Sequence, residues 1–516
     1  SLIGQSAEIS MSSQTNVLTF ALFLLFSAKY SKSVNFTCPQ NPIVGGTGTF
    51  PPDSAARFQF PINYHCKIQF KIQDGFVVRL TFSSKATAAD SIIVSNVLGS
   101  SYAYNQGSGT FFAPATAATV SIDTSTATSE FWFSYDYQNL ALFEQNPTLP
   151  TGTPLNLNLQ PTQTYTLESP TNDNVVINVA LVDQIGKTDI VIKLIYVYDG
   201  PNVNSRFVGN LYDYVNSPTL MKSSGNSTTL VNYYGPTSNS YALANDFKSL
   251  SSFEEYTFVA FSKNVTVPKN FKVKGIPFTS SAFTFLCTQS SMVYLTDLNF
   301  GANGHKVDVQ TLTPSDNQIT YLTYLATDAV QNSMPQMIPA KLFSMVTLGP
   351  ELSLTLSSTA DNWLTPYNGR KGSIFSSSLW TPEATSGYNH TFVSTNVMTF
   401  TFNIKKAIIH QAGEQMHVQV GLPGFKPSSL TFTNSVSDQS RLANGTYLMI
   451  EYIGDSTSSS SIVTFEMANA NGEQGTSYLP SKSTSSSIQS TTKSGLKNTF
   501  GIASGISLLI ALFLNC

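Results

Sequence analysis

Few side chains in this sequence have the types and spacing that catalysis requires. Adjacent carboxylates stand at Glu254 and Glu255, but neighbouring residues of a strand point to opposite faces, which disfavours a shared glycosidase site. No G-x-S-x-G motif of a serine hydrolase occurs, and the glycines within 45–48 do not open a helix after a strand. The histidines lack zinc-ligand spacing, and their positions are 65, 305, 390, 410 and 417. The sequence therefore predicts no catalytic residue, no metal site and no cofactor.

The cysteines are the second group of residues that could do chemistry, and their positions indicate a structural role. Cys516 lies in an apolar C-terminal tail, and removal of that tail would leave three cysteines. Cys38 and Cys66 are then the natural disulfide pair in an oxidising compartment. Closing a loop of this size stabilises a fold by about 3 to 4 kcal/mol. Cys287 lies in an apolar strand pattern, which predicts a buried free thiol, with a bridge to another molecule as the alternative.

Composition favours an extracellular protein. The 516 residues include 27 basic and 30 acidic side chains, so the net charge of −3 gives no electrostatic reason to expect nucleic-acid binding. Only 11% of residues are charged, compared with about 25% in typical soluble domains. Ser, Thr, Asn and Tyr replace them, which suits a secreted all-β protein. Five N-x-S/T sequons predict N-glycosylation, at Asn35, Asn226, Asn264, Asn389 and Asn444.

Both ends of the chain indicate secretion and membrane attachment. Residues 11–28 begin with methionine and continue into an apolar run that is typical of a signal peptide. Residues 500–516 are apolar without a basic flank, and they follow a Ser/Thr-rich stalk at 471–499. This order is typical of a GPI-attachment signal, with a transmembrane anchor as the alternative. The candidate attachment residues are Ser486, Ser487 and Ser490.

The elements that would position these residues are strands, and the clearest pattern lies between 58 and 82. Apolar residues alternate with polar ones from 66 to 72 and again from 76 to 82. Asp74 and Gly75 tolerate positive φ, which predicts a tight hairpin turn between the two runs. In the second run Phe76 and Val78 are expected to point inward and Val77 outward. The two runs predict an antiparallel sheet with one face in water.

These residues resemble a CUB domain. The resemblance rests on Cys38, the run Pro-Ile-Asn-Tyr-His-Cys at 61–66, the Asp-Gly turn, the L-x-F strand at 78–82 and the Asp-led run at 90–94. More closely, the chain is similar to the nematode CUB-like proteins, which are secreted or GPI-anchored and linked to innate immunity. The resemblance implies a β-sandwich and a disulfide between Cys38 and Cys66.

Two departures from the CUB pattern bear on function. The second CUB disulfide is missing, and Ile68 stands where Trp is frequent. Calcium-binding CUB domains use a Glu and two Asp, because Ca²⁺ needs several hard oxygen ligands. Here the segment after Phe82 has no Glu, so Asp90 alone cannot form that site. The sequence predicts no calcium.

The predicted fold class is all-β, with a CUB-like antiparallel β-sandwich of jelly-roll type followed by further sandwich-like modules. A run containing Tyr198-Asp-Gly200, followed by Phe207, resembles the second half of a CUB domain and predicts a second copy without cysteines. The predicted boundaries are signal peptide 11–28, CUB-like domain 34–138, linker 139–161, second CUB-like module 162–275, β modules 276–385 and 386–470, stalk 471–499 and tail 500–516.

The predicted function is binding at the outer face of the plasma membrane, in innate defence, with an extracellular protein or glycan as ligand and a lipid anchor as the membrane contact. Tyr102 and Tyr104, in a Gly/Ser-rich loop, are the candidate ligand contacts, although loop packing would also explain them. One alternative is a secreted hydrolase, which would need an acid–base cluster in a deep pocket between 276 and 470. Another is a structural coat protein.

Overall fold

The computed structural model describes residues 36–267, 280–301, 305–348 and 352–470. The predicted signal peptide, stalk and tail lie outside the described residues, as do the sequon Asn35 and the candidate attachment serines 486, 487 and 490. Among the described residues, no helix is both long enough and apolar enough to span a bilayer. The fold there is almost entirely antiparallel β-structure, as predicted.

The first sandwich is one sheet that folds over on itself. Its neighbour order is β1-β7-β3-β6-β4-β5, with β2 pairing to β7. The two long central strands pair along nearly their whole length, so both layers of the sandwich share them. Buried side chains from both halves of β3, among them Ile68, Phe70 and Leu80, meet in one core. The strands are β1 (Thr47–Phe50), β2 (Phe58–Gln59), β3 (His65–Lys85), β4 (Ser91–Asn96), β5 (Ser101–Ala103), β6 (Gln106–Asp123) and β7 (Glu130–Asn139).

The predicted hairpin turn at Asp74 and Gly75 is wrong. The chain runs straight through both residues as part of β3, and the register with β6 shifts between Ile72 and Val77. Gly75 has φ of 77°, and positive φ serves a bulge as well as a tight turn, so the local signal was ambiguous. The true partner is β6, whose Gly-, Ala- and Pro-rich sequence shows little alternation in its first half. The alternation itself was read correctly from 66 to 72, where the odd positions are exposed and the even ones buried.

The predicted orientations of Phe76 and Val77 are confirmed, because Phe76 packs on the core of the first sandwich and Val77 points away from it, but their burial differs from the expectation. Phe76 is only half-buried, whereas Val77 is completely buried. Val77 lies on the outer face of its own sandwich, where it packs against Tyr196, Val203 and other residues of the next one. The part of the outer face around Val77 is therefore covered by a neighbouring module, whereas Lys67, Gln69 and Lys71 remain exposed.

A disulfide joins Cys38 to Cys66, as predicted, with a sequence separation of 28. Cys66 is buried at the start of β3, and Cys38 packs on the same core. The bond ties the segment before β1 to the longest strand of the sandwich. Cys287 is buried and unpaired, in agreement with the prediction of a buried free thiol.

The second sandwich begins earlier and ends earlier than the predicted 162–275. Its sheets are β10-β16-β12 and β14-β13-β15-β11-β8, with β9 pairing to β11. The predicted linker 139–161 contains β8, β9 and β10, which are too short to show a pattern in sequence. The elements are β8 (Glu144–Gln145), β9 (Leu149–Pro150), β10 (Pro154–Asn156), β11 (Gln163–Glu168), β12 (Val175–Leu181), β13 (Ile195–Asp199), β14 (Arg206–Asn210), α1 (Leu211–Val215), β15 (Ser227–Asn232), β16 (Ser240–Asp246), α2 (Phe247–Leu250) and 3-10 helices Leu140–Leu142 and Ile190–Leu194.

The third sandwich takes its first two strands from the region assigned by sequence to the second module. Its sheets are β17-β19-β24-β21-β22 and β18-β25-β20-β23, and β17 pairs parallel to β19. The elements are β17 (Glu255–Phe261), β18 (Asn264–Val267), β19 (Ser280–Cys287), β20 (Val293–Phe300), β21 (Lys306–Thr311), β22 (Thr320–Leu325), 3-10 helix Val330–Ser333, β23 (Gln336–Ile338), β24 (Leu342–Leu348) and β25 (Leu352–Ser357).

The fourth sandwich again consists of one folded sheet, in the order β26-β31-β27-β30-β28-β29. Its first strand lies before the predicted boundary at 386, because β26 pairs with the last strand, β31. The elements are β26 (Lys371–Phe375), 3-10 helix Ser377–Leu379, β27 (Tyr388–Ile408), β28 (Gln415–Gly421), β29 (Ser428–Phe432), β30 (Val436–Ile453) and β31 (Ser460–Asn469).

All four described sandwiches share one strand order. When strands are matched by their position in the chain, the fourth sandwich repeats every strand of the first except the short β2, and both contain long strands of 21 and 18 residues. In the second and third sandwiches the long strands are interrupted, which divides the sheet into two. The order β10-β16-β12 then corresponds to β1-β7-β3, and β11-β15-β13-β14 to β3-β6-β4-β5. The third sandwich follows the same scheme with β17 added at one edge.

Candidate interaction surface

An aromatic cluster joins the first sandwich to the second. Val77, Phe112 and Leu140 from the first side pack with residues of β13, β14 and β15 from the other. The Phe112 ring stacks on Tyr233 with centroids 5.2 Å apart. Such well-packed aromatic contacts disfavour free hinge motion between two modules. The members from the second sandwich are Tyr196, Tyr198, Val203, Phe207, Val231 and Tyr233.

Tyrosine hydroxyls satisfy the polar groups within this joint. Tyr196 Oη donates to the Phe112 carbonyl oxygen at 2.7 Å, and the Phe112 amide donates to Tyr234 Oη at 3.2 Å. Tyr198 and Tyr233 share a hydroxyl–hydroxyl bond of 2.7 Å. Burial raises the pKa of Tyr196 well above its ordinary value, so these groups stay neutral at physiological pH. The joint is both apolar and hydrogen-bonded.

An exposed apolar surface borders this joint. Val97 and Leu98 form the tip of the β4–β5 hairpin, and Leu98 is 50% exposed and lies near Gly209 of the second sandwich. Tyr102, in edge strand β5, is 43% exposed and packs one side of its ring on Phe111. Partial burial raises the pKa of Tyr102, and the negative charge of the nearby Asp213 carboxylate raises it further. We call Val97, Leu98, Tyr102 and Asp213 the Tyr102 surface.

Tyr104 occupies a different environment from Tyr102. Its ring stacks on Phe82 with centroids 4.4 Å apart, and its hydroxyl donates to the Thr110 carbonyl oxygen at 3.1 Å. These contacts engage Tyr104 in packing within the sandwich. Of the two tyrosines expected to contact a ligand, Tyr102 is the exposed one. Sequence reasoning missed Val97 and Leu98, because nothing local shows that the hairpin tip lies beside the joint.

Asp90 is buried at one end of the first sandwich, where its carboxylate ties the start of β4 to the start of β7. Burial would raise the pKa of Asp90, but hydrogen bonds outweigh it and hold the pKa below its usual range. With the carboxylate saturated by donors of the protein, Asp90 acts as a clamp between the two layers. The donors are the Ser125 amide and hydroxyl, the Thr126 amide and hydroxyl, and the Ser129 hydroxyl.

The same clamp recurs in two other sandwiches. Glu414 directly precedes β28 and accepts a 2.5 Å bond from the hydroxyl of Ser459, which directly precedes β31. In the second sandwich Asp189 accepts from Ser238 Oγ at 2.6 Å, two residues before β16. In three of the four described sandwiches, an acidic residue on the N-terminal side of the strand that corresponds to β4 thus accepts a hydrogen bond from a serine shortly before the last strand. Sequence comparison missed them because the residues lie 39 to 49 positions apart.

The described residues do not gather a group suited to metal binding. Within them, no three His, Cys, Asp or Glu side chains stand close enough to hold a metal ion. A cleft of about 220 Å³ lies between β12 and β17, and its titratable lining residues are Lys187 and Tyr256. Burial raises the pKa of Tyr256, and its hydroxyl accepts from Asn245. This cleft therefore holds no carboxylate pair.

The described sequons lie in strands or at strand ends. Asn264, Asn389 and Asn444 are exposed, whereas Asn226 is half-buried. The Asn226 side-chain amide donates to Glu168 Oε1 at 3.1 Å and to Asn172 Oδ1 at 3.2 Å. Glycosylation at all four remains a prediction.

Comparison with known proteins identifies one part of the chain. The CUB-like domain family matches residues 28–141. No curated protein sequence matches the chain. Solved structures similar to it include the CUB1-EGF-CUB2 region of human MASP-1/3, with 10% identity over 37% of this chain and 97% of that chain, at a TM-score of 0.15.

Two further structures are similar over more of the chain. The CUB1-EGF-CUB2 domains of rat MASP-1 align at 7% identity over 61% of this chain and 99% of that chain, with a TM-score of 0.17. A triple jelly roll turret protein of an archaeal virus aligns at 8% identity over 84% and 98%, with a TM-score of 0.16. TM-scores this low do not show a shared overall fold, so the identification rests on the family match alone. Residues 28–141 of this chain are therefore a CUB-like domain, a module typical of extracellular proteins.

Proposed function

We propose that this chain is a non-catalytic binding protein of the outer cell surface, whose ligand is an extracellular protein or a glycan. The observation that carries the proposal is the Tyr102 surface beside the joint of the first two sandwiches. Exposed tyrosine and aliphatic side chains bind proteins and sugars at a small entropy loss. The packed joint holds this surface in one arrangement, so little ordering is needed on binding.

A role in innate defence follows from the resemblance to nematode CUB-like proteins. The sequence supports such a role through its sequons and the apolar runs at both ends. The hydrolase alternative needs a deep pocket between 276 and 470, whereas the cleft described above is lined by residues before 276. We therefore propose that the chain acts by binding and does not catalyse a reaction.

Replacing Tyr102 with alanine is expected to lower ligand binding by about tenfold, as for an aromatic residue at the centre of an interface. Fluorescently labelled protein would be incubated with intact bacteria, fungal cells and immobilised glycans, and the retained fraction measured. Leu325→Ala is a matched control, because Leu325 is similarly exposed on β22, the strand of the third sandwich that corresponds to β5. Equal retention of wild type and Tyr102→Ala by every bound target would contradict the proposed surface.

The proposed lipid anchor has a separate test. Cells expressing the full chain would be treated with phosphatidylinositol-specific phospholipase C, which cleaves GPI anchors. We expect the protein to be released into the supernatant, with a glycan-phosphate remnant on Ser486, Ser487 or Ser490. Complete retention on treated cells, with a known GPI protein released in parallel, would argue for the transmembrane alternative.

A further inference from the structure

Three features meet at one end of the fourth sandwich. Asn469, the last residue of β31, pairs with Met398 of β27, and Met398 pairs with Gly445 of β30. Gly421, where β28 ends, packs against Gly445 so closely that a Cβ there would lie 2.6 Å from the Gly421 carbonyl oxygen. Since paired strands are about 5 Å apart, the β28–β29 hairpin and the point at which the described chain stops, Ala470, lie at the same end. We call this the exit end.

The exit end presents large apolar side chains to solvent. Phe425, in the turn of the β28–β29 hairpin, is 73% exposed. Val393 is 65% exposed and pairs with Tyr447, which in turn pairs with Gly421. Val397 is also exposed, and its carbonyl accepts a bond from the Ala470 amide. Apolar side chains grouped at one end, unlike scattered ones, indicate a contact surface.

The charged residues around the β28–β29 hairpin of the exit end are cationic. Lys426 follows Phe425 and is exposed. Arg441 is exposed on β30, and its guanidinium reaches Ser428 Oγ of the next strand at 3.4 Å. Residues 391–402, 418–433, 439–450 and 467–470 contain no Asp or Glu, and the nearby Glu466, which pairs with Thr401, lies 3.6 Å from the ammonium group of Lys371. An apolar tip with a basic collar matches the interface of an anionic bilayer, where aromatic rings insert and cations meet headgroups.

The corresponding hairpins of the second and third sandwiches each contact a neighbouring sandwich. Val203, in the β13–β14 hairpin, is buried against the first sandwich. Ser315, in the β21–β22 hairpin, donates to Asn245 Oδ1 and accepts from the Asp246 amide of the second sandwich. The fourth hairpin instead carries its phenylalanine into solvent. Within the described part of the chain, no other sandwich covers it.

We propose that the exit end contacts the lipid bilayer, with Phe425 inserted into the interface and Lys426 and Arg441 on anionic headgroups. The proposal deepens the proposed function, on which it rests for the lipid anchor. The anchor would be attached 16 to 20 residues after Ala470 in the sequence. Binding of the tip to the same bilayer is then intramolecular, so that a weak contact suffices. The contact would hold the fourth sandwich in one orientation on the membrane.

Tryptophan fluorescence tests this contact directly. Full-length Phe425→Trp protein would be reconstituted into vesicles of phosphatidylcholine and phosphatidylserine, with and without brominated lipid as a quencher. Leu98→Trp is the matched control, because Leu98 is the exposed tip of the corresponding hairpin in the first sandwich. After subtraction of the signal of the native tryptophans, quenching is expected at 425 and not at 98. Absence of quenching at 425, or equal quenching at both sites, would overturn the proposal.

A second measurement separates this contact from the anchor. After phospholipase release from cells, Phe425→Ser is expected to rebind phosphatidylserine-containing vesicles about tenfold less than wild type, since it removes one buried aromatic side chain. If phospholipase releases no protein, the proposed GPI anchor is wrong. The quenching experiment still shows whether Phe425 contacts the bilayer. If the emission of the Phe425→Trp protein shifts with protein concentration in the absence of lipid, the tip binds a second copy of the chain, and the bilayer assignment is wrong.

Discussion

Asp90→Ala is expected to destabilise the CUB-like domain by at least about 3 kcal/mol, because hydrogen bonds to a buried charge each contribute about 1.5 to 3 kcal/mol. The carboxylate accepts five such bonds, and alanine would leave buried amides and hydroxyls without an acceptor. The clamp joins β4 in one layer to the loop before β7 in the other, so both strand starts should open. Hydrogen exchange followed by mass spectrometry would locate this opening.

Asp123→Ala is the matched control for Asp90. Asp123 is exposed, and its Oδ1 lies at hydrogen-bond distance, 2.8 Å, from Nδ1 of the exposed His65. Surface pairs of this kind contribute at most about 1 kcal/mol. Exchange rates in β4 and β7 should therefore stay close to wild type in Asp123→Ala. The same exchange rates in both variants would show that Asp90 is not a clamp.

The lowered pKa of Asp90 also gives an expected pH dependence. Its stabilising contribution is present above the unfolded-state pKa of about 4 and is lost as the pH falls through the lower, folded-state pKa. Wild type should therefore lose stability when acidified below about pH 4. Asp90→Asn, which does not titrate, should start less stable and show a shallower loss. Parallel acid-unfolding curves for the two proteins would contradict this assignment.

Arg370→Ala is expected to destabilise the fourth sandwich by about 3 to 5 kcal/mol, because it empties the space of a large buried side chain and leaves buried carbonyl oxygens without donors, at about 1 to 3 kcal/mol for each unsatisfied group. Arg370 is 1% exposed, and its guanidinium donates to the carbonyl oxygens of Asn362, Trp363 and Thr365. Burial lowers the pKa of Arg370 to about 10, which leaves it charged at neutral pH. Four aromatic rings lie within 6 Å of its Cζ atom, and they belong to Trp363, Tyr367, Phe392 and Phe465.

Two companion variants test how Arg370 acts. Arg370→Lys keeps the charge but loses the planar fork, so an intermediate loss is expected. Arg206→Ala removes an exposed arginine that lies 3.6 Å from Asp199, and a change below about 1 kcal/mol is expected. Thermal unfolding with tryptophan fluorescence would report the change, because Trp363 packs against the guanidinium. A stability of Arg370→Ala equal to that of Arg206→Ala would refute the role of the buried charge.

Much of the first sandwich could be predicted from local pattern. The alternation from 66 to 72 reports which side chains face the core, because successive residues of a strand point to opposite faces. The pairing of Cys38 with Cys66 followed from cysteine arithmetic and from the resemblance to CUB domains, and the structure contains it. The free, buried state of Cys287 was likewise readable from its apolar surroundings.

The internal repeat was only partly readable. The run Tyr198-Asp-Gly200 falls on the β13–β14 hairpin of a sandwich with the strand order of the first, although the module boundaries differ. The fourth sandwich matches the first more fully, yet its sequence offered no comparable motif. Strand order depends on long-range pairing, which many sequences satisfy, so equal topology leaves little trace in residue identity.

Local chemistry thus determined the strand faces, the disulfide and the CUB-like character predicted for residues 34–138, within the 28–141 that the family matches. Tertiary structure alone decided that Asp74 and Gly75 form a bulge in one strand, because a glycine with positive φ fits a tight turn and a bulge equally well. It also decided that Val77 is buried, Tyr102 exposed beside a joint, and Phe425 exposed at the exit end. Periodicity reports how a side chain is oriented in its own strand. Whether another sandwich then covers that side chain depends on contacts between residues far apart in the chain.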